Sequence, residues 1–483
     1  MKRLAQELEG INYLRLAKRA AVTPGAVTAV YMMADVMAIA LSIAAAVLAR
    51  GSLGGLDIAL YLPLWPVVWL FVMVYTIVGL YPGIGQAPAE ELRRLTLAST
   101  LVYLVLGVGT FLFKEGEAYS RAVFLGAWAL TILFVPLSRA LFRSLFAGRS
   151  WWGKPVVVLG AGDTGKMVVR ALNRNPGLGL KPIAALDDDP GKRTAIDDVP
   201  VLGGVDLAPL LARELKVRHA IVAMPGVERK KLLNILEGYA GVFPHLVLIP
   251  DLFGFSSLWV SAQDLGGVLG LEIRQRLLLT GPRLTKRMVD LVLTLVGGLL
   301  VLPLIALIAI LIKLDSRGPV FYFQDRLGKD GRVFKAVKFR SMYGDGETRL
   351  ARLLEENPRL KEEYEIYHKL RDDPRVTRIG RILRKLSLDE LPQLWNVLRG
   401  EMSLVGPRAY LPRELPKMNG SERIILKVLP GITGLWQVSG RSEIPFPQRL
   451  EIDAYYVRNW SVWLDLYILA RTVWVVLFSR GAY

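Results

Sequence analysis

The chain has 483 residues, 52% of them hydrophobic, with a mean hydropathy of +0.36, a formal charge of +18, three histidines and no cysteine. These values exclude disulfide scaffolds and thiolate metal sites, and they argue against a His-rich zinc centre. The charge suits two anionic partners, nucleic acid and a membrane surface, and the apolar runs point to a lipid bilayer with no nucleic acid.

Four apolar runs occupy the first third, at about 26–48, 58–80, 95–112 and 122–137. Each is near the roughly 20 residues that a helix needs to cross a bilayer. Lys2, Arg3, Arg15, Lys18 and Arg19 precede the first run, Arg93 and Arg94 lie between the second and third, and Arg139, Arg143 and Arg149 mark the exit of the fourth. The other two loops carry less positive charge, so the positive-inside rule puts both ends of this unit in the cytoplasm. The opening MKRLAQELEG is too charged and interrupted for a cleavable signal peptide.

From about 154 to 250 the pattern turns to α/β. Val156-Val157-Val158-Leu159 reads as a buried strand, followed by the turn Gly160-Ala161-Gly162-Asp163-Thr164-Gly165 and an amphipathic helix to about Leu172. A second strand, 182–186, ends in Asp187-Asp188-Asp189, and further strands are expected at 219–223 and 245–249. Strand, glycine turn, helix and acids in this order predict a Rossmann-like fold. The glycines serve either nucleotide binding or tight strand–helix packing, and both readings stay open.

A fifth apolar run, 291–312, is long enough to span a membrane, but Pro303 interrupts it. Both flanks are basic: Arg283, Lys286 and Arg287 before it, Lys313, Arg317 and Arg326 after it. A spanning helix should show charge asymmetry. The expectation is therefore a re-entrant membrane helix broken at Pro303, with a simple fifth span as the alternative.

Residues 318–483 read as mixed α/β. GPVFYFQDRLGKDGRVFKAVKFRSM gives two short strands around Lys329-Asp330-Gly331. A charged helical stretch is expected at about 347–371. In 376–387, Val376, Ile379, Ile382, Leu383 and Leu386 share a helical face, with Arg378, Arg381, Arg384 and Lys385 off it. Such a helix lies in a membrane interface or packs on a core. Tyr455, Tyr456, Trp460, Trp463, Tyr467 and Trp474 cluster as interfacial aromatics do.

The chemistry concentrates in SLDELPQLWNVLRGEMSLVGPR, 387–408. Two structural accounts exist for its acids: a capping box from Ser387 to Glu390, or Asp389 as N-cap with Pro392 in the first turn. Each explains one acid and neither explains the pair. As chemistry, adjacent carboxylates divide labour, one attacking phosphorus while the other helps hold Mg²⁺. Arg340, Arg408 and Arg441 sit in corners rich in Gly, Pro or Ser, where planar forks suit phosphate oxygens. Lys338 is placed to neutralise a carboxylate or phosphate, and Gln324 and Arg326 to meet a lipid phosphate at the interface.

The segment from about 282 to 483 resembles the bacterial sugar transferase family, the monotopic polyprenyl-phosphate phosphoglycosyl transferases. The likeness rests on GPVFYFQDRLG, KFRSM, DDPRVTRIGRILRKLSLDELPQLWNVLRGEMSLVGPR, PGITGLWQVSGR and YYVRNWSVWLDLYIL. The first half matches the large form of the family less specifically, the form typified by galactose-1-phosphate transferases acting on undecaprenyl phosphate. The resemblance implies transfer of sugar-1-phosphate from a UDP-sugar to undecaprenyl phosphate with release of UMP, opening lipopolysaccharide, capsule or exopolysaccharide assembly. It implies Asp389 as nucleophile and, with Glu390, as Mg²⁺ ligand, with Lys338, Arg340 and Arg408 around the site and Pro303 as membrane hinge. Gly406, Pro407, Gln437 and Arg441 join Gln324 and Arg326 as expected substrate contacts. Two positions depart from the family: Leu302 precedes the hinge proline where Ser is usual, and Ala409 closes the GPRP corner.

The expected architecture is membrane α plus α/β. It comprises four transmembrane helices (1–150), a Rossmann-like cytosolic domain (151–281), the re-entrant helix (282–315) and a mixed α/β catalytic domain (316–483). The expected setting is a homodimer in the bacterial inner membrane, with the catalytic domain on the cytoplasmic side. A nucleotide-sugar dehydratase is disfavoured, because no Tyr has a Lys four positions later. A scaffold role would leave the Asp389-Glu390 cluster idle.

Overall fold

A computed structural model describes residues 24–54, 56–112, 119–192, 194–250, 260–264, 269–273, 276–344, 348, 350, 355, 373, 375–440 and 444–477. The chain forms two compact units, Met1–Phe253 and Gly254–Tyr483.

The first unit opens with α1 (Pro24–Gly51), α2 (Val67–Ile77), α3 (Pro88–Leu112) and α4 (Arg121–Phe146). A 3₁₀ turn, Ile58–Leu64, leads into α2 and breaks the second apolar run near Pro66. Pro136 lies inside α4, which continues to Phe146 and so runs beyond the expected end at 137. The bundle hides Phe71, Tyr75 and Val135 and leaves Leu62, Leu104 and Ile77 on the outside. That pattern suits a solvent of lipid chains rather than water.

Charge inside the bundle is paired. Arg139, 1% exposed, donates to Asp35 at 2.6 Å and to Glu91 at 3.3 Å. Glu91 also meets Arg143, Arg143 Nε donates to Tyr31, and Tyr81 donates to Asp35. An unpaired charge in this setting would be costly. The cluster therefore fixes the relative positions of α1, α3 and α4.

A parallel sheet follows, built from β1 (Lys154–Leu159), β2 (Leu180–Leu186), β3 (His219–Val222) and β4 (His245–Leu248) in the order β2-β1-β3-β4. Helices α5 (Asp163–Arg174), α6 (Ala208–Glu214) and α7 (Arg229–Ala240) intervene. A parallel sheet with intervening helices is the α/β pattern expected for this stretch. Gly160 has a φ of +106°, and a Cβ there would lie 2.6 Å from the Ala223 carbonyl oxygen. A Cβ on Gly165 would lie 2.0 Å from the Gly160 oxygen. Packing thus requires glycine at 160 and 165, whereas Gly162 faces open space. The Ala161 amide donates to Asp187 Oδ2 at 2.8 Å, so the acid ending β2 closes onto the turn.

The second unit begins with the antiparallel pair β5 (Val260–Asp264) and β6 (Leu269–Ile273). Helix α8 (Thr280–Asp315) is continuous across Pro303. Among the described residues it is the fifth helix long and apolar enough to cross a membrane. The hairpin β7 (Phe321–Leu327) and β8 (Val333–Phe339) is followed by α9 (Arg378–Lys385), a 3₁₀ turn (Leu388–Gln393) and α10 (Leu394–Arg399). Most of the charged stretch expected at 347–371 lies outside the described residues. Strands β9 (Ser403–Val405) and β10 (Gly431–Thr433) pair in parallel, and α11 (Leu435–Ser439), α12 (Phe446–Asn459) and α13 (Val462–Leu477) complete the unit.

Both ends of α8 are fastened to this unit. Near its start, Lys286 donates to Asp465 at 2.7 Å, Arg287 donates to the carbonyls of Val397 and Leu398, and Asp290 accepts from Ser403. Near its end, Ile308 and Ile312 pack with Phe339 and Leu383, and Asp315 accepts from the Ile379 amide. Between these anchors Leu295, Leu299, Leu300 and Leu302 are exposed. The expected interfacial aromatics divide: Tyr456 and Trp460 are buried donors to Asp465, whereas Trp474 is exposed.

Candidate active site

Strand β8 and the 3₁₀ turn build the centre. Asn396, 1% exposed, accepts from the Val337 amide and donates to the Lys335 carbonyl, which locks α10 to the strand. That lock sets Lys338 beside the turn, where its ammonium donates to Glu390 Oε1 at 2.7 Å. Ser387 has a φ of 55° and makes no side-chain cap bond, so neither the capping box nor Asp389 as N-cap forms. Both acids are left for other work.

Asp389 is half-buried, and burial together with the neighbouring Glu390 pushes its carboxyl up to about 6, with Lys338 and Arg384 opposing. Arg384 is the contact that the sequence reading did not assign to the site. A Cβ on Gly380 would stand 2.0 Å from the Ser341 carbonyl, so glycine lets α9 lie against the end of β8. Arg384 Nε then donates to Ser341 Oγ at 2.9 Å, and its charge faces Asp389. The helical face of α9 also divides: Leu383 is buried with Ile379 packed beside it, while Ile382 is exposed.

A second layer of cations follows. Arg326 on β7 donates to Gln324 and to the Ala409 carbonyl, both at 2.7 Å, joining the hairpin to the Gly406-Pro407-Arg408 corner. Burial and Arg408 hold the Arg326 guanidinium below its usual range, while Glu390 acts in the opposite sense. The Arg408 side chain lies 3.4 Å from Glu414 and over the Trp436 ring, and its amide donates to Asp453 at 2.9 Å. Asp453 is fully buried, and burial pushes its carboxyl up to about 7. Gly406 donates to Thr433, and the Pro407 carbonyl accepts from Gly431, stitching the corner to β10.

The structure thus gathers Asp389, Glu390, Lys338, Gln324, Arg326 and the 406–408 corner. Arg340 sits elsewhere: it is 7% exposed and donates to the carbonyls of Ser316 and Arg317, capping the end of α8. Gln437 donates to the Ile432 carbonyl at 3.2 Å. Pro303 lies in the exposed middle of α8, away from these contacts, and Arg441 lies outside the described residues. No group of three or more acidic or imidazole metal ligands occurs among the described residues.

A partly buried carboxylate pair flanked by cations, on a unit with a long apolar helix, is an arrangement that suits group transfer at a membrane. The family model of the bacterial sugar transferases matches residues 281–479, and that of a CoA-binding domain matches 76–250. A UDP-galactose-lipid carrier transferase of Erwinia amylovora is 36% identical over 81% of this chain and 82% of its own length. An undecaprenyl-phosphate galactose phosphotransferase of Salmonella typhimurium is 33% identical with the same coverage. The UDP-glucose:undecaprenyl-phosphate glucose-1-phosphate transferase of Escherichia coli is 30% identical over 86% of this chain and 88% of its own. The chain belongs to the bacterial sugar transferase family.

Proposed function

We propose that this enzyme transfers hexose-1-phosphate from UDP-galactose or UDP-glucose to undecaprenyl phosphate, releasing UMP through a covalent phosphosugar-Asp389 intermediate. The observation that carries the reading is Asp389, half-buried and pushed up to about 6, next to a Glu390 already held by Lys338. The names of the relatives support the donor and acceptor classes.

A carboxylate oxygen of Asp389 attacks the sugar-bearing phosphorus of the UDP-hexose. The bond from that phosphorus to the bridging oxygen breaks, and UMP leaves with the oxygen and the electron pair. An oxygen of undecaprenyl phosphate then attacks the same phosphorus, and the Asp389 carboxylate is released. Undecaprenyl diphosphate-linked hexose is the product. Lys338 holds Glu390 in place, Arg384 orients Asp389, and Arg326 and Arg408 receive phosphate oxygens. Two adjacent carboxylates fit Mg²⁺, which takes one or two protein oxygens and completes its shell with water and substrate phosphate. When bound, the ion would offset charge on the diphosphate.

The anchoring of α8 supports a re-entrant course. A straight helix of its length would run about 54 Å, against a hydrocarbon core of about 30 Å. A crossing helix would put its ends on opposite faces, yet one compact unit holds both ends. On this reading the chain turns back within the exposed stretch containing Pro303, which is helical in the structure. With the basic flanks inside, the catalytic domain works on the cytoplasmic face of a bacterial inner membrane.

The test is UMP release by the purified chain with Mg²⁺, undecaprenyl phosphate and a panel of UDP-sugars. Release that requires both lipid and Asp389 supports the reading. A folded protein inactive with every hexose donor refutes it.

A further inference from the structure

Because β1 to β4 are parallel, all four begin at one edge of the sheet. That edge abuts the helix bundle. Helix α4 ends at Phe146, whose ring lies tilted against Trp151 at 5.6 Å, and Trp152 lies edge-on to Tyr31 at 5.4 Å, just before β1 starts at Lys154. The Gly85 amide, in the loop before α3, donates at 2.7 Å to the carbonyl of Leu178, just before β2. Gly177 lies against the Arg143 side chain. Val156 pairs with His219, and His219 with His245, so the starts of β3 and β4 continue the same edge sideways. The loops that open those strands therefore face the bilayer surface that the bundle enters.

These loops line a cavity of about 290 Å³, with Arg213, Lys216 and Arg218 around it and Val217, Val242 and Pro244 beneath. Lys154, at the start of β1, adds a fourth cation, held below its usual range by burial and by Arg218. None of the four forms a salt bridge among the described residues. His219 stacks on His245 at 4.3 Å, and burial with Lys154, His245 and Arg218 holds it down to about 4. The edge thus carries a net positive potential among the described residues. Glu214 opposes it, and the C-terminal ends of α6 and α7 supply about half a negative charge each. Roughly two positive charges remain. The opposite edge of the same sheet carries Asp187, Asp188 and Asp189, with Asp188 paired to Lys231 and Asp189 to Lys192, so the unpaired cations collect at the edge toward the bundle. Core packing alone requires no group of unpaired cations around one cavity.

We propose that this edge, centred on Arg213, Lys216 and Arg218, docks on the anionic headgroups of the bilayer and holds the Rossmann-like domain against the membrane surface. The test is hydrogen exchange of the full chain in phosphatidylcholine nanodiscs with and without phosphatidylglycerol. Phosphatidylglycerol should slow the amides of 213–219 and 241–245 roughly tenfold, and high salt should erase the slowing. The triple variant R213A/K216A/R218A should lose the effect, and R213K/R218K should keep it. Equal exchange in the two lipids, or slowing that survives in the triple variant, would overturn the proposal. Equal slowing by inorganic phosphate in phosphatidylcholine discs would also overturn it, by assigning the cavity to a soluble anion. If the triple variant fails to fold, the wild-type comparison of the two lipids at both salts decides the matter.

Discussion

Replacing Asp389 by Asn should abolish turnover and yet stabilise the fold in alkaline buffer. In the folded chain the carboxyl titrates near 6, against 3.8 for the free group. Its folded pKa is raised, so the folded state holds the proton more tightly than the unfolded state. The stability tied to it is present below about pH 4 and is lost as pH rises through 6. At 1.36 kcal/mol per pH unit, ionising Asp389 costs the fold up to about 3 kcal/mol at pH 8 and about half of that at pH 5. Asn keeps the shape without the charge. Thermal unfolding of wild type and D389N should therefore differ by several degrees at pH 8 in favour of the variant, and the gap should narrow at pH 5. UMP release should fall by at least about a thousandfold. A variant that keeps turnover would rule out Asp389 as nucleophile, and one less stable than wild type at both pH values would rule out a destabilising charge there.

Three further outcomes follow from the same geometry. Lys338→Met removes a cation that lowers the Asp389 pKa, so the acid limb of the pH–rate profile, expected near 6 in wild type, should move upward along with a fall in kcat. Asn396→Ala strands the Val337 amide and the Lys335 carbonyl, and should cost about 2–4 kcal/mol in chemical denaturation while loosening Lys338. Asp453→Asn retains an oxygen that can accept from the Arg408 amide and the Tyr410 hydroxyl. Because the Asp453 pKa is raised to about 7, wild type loses stability as pH climbs through 7, and D453N should unfold at a higher temperature at pH 8 with activity retained.

The parts legible in the sequence are those set by local pattern. The apolar runs, the strand–turn–helix around Gly160 and the hairpin around Asp330 follow from periodicity and turn chemistry, and each forms. The adjacency of Asp389 and Glu390 is visible in the sequence itself, and the structure sets Lys338 beside the pair. What stayed hidden depends on long-range contact. Arg340 and Arg384 are both basic residues near the motif, and nothing local says that one caps a helix end while the other faces Asp389. Asp453, far along the chain, meets the Arg408 corner only through packing of α12. The glycine turn satisfied a nucleotide-binding pattern, but the closure of Asp187 onto Ala161 is a fact of the folded backbone.

The covalent role of Asp389 is read out by intact-protein mass spectrometry after incubation with UDP-hexose and Mg²⁺, without acceptor lipid. A mass gain of one hexose-phosphate is expected, located on the peptide containing Asp389 and discharged when undecaprenyl phosphate is added. An enzyme that releases UMP only when the lipid is present, and never carries the adduct, would contradict it.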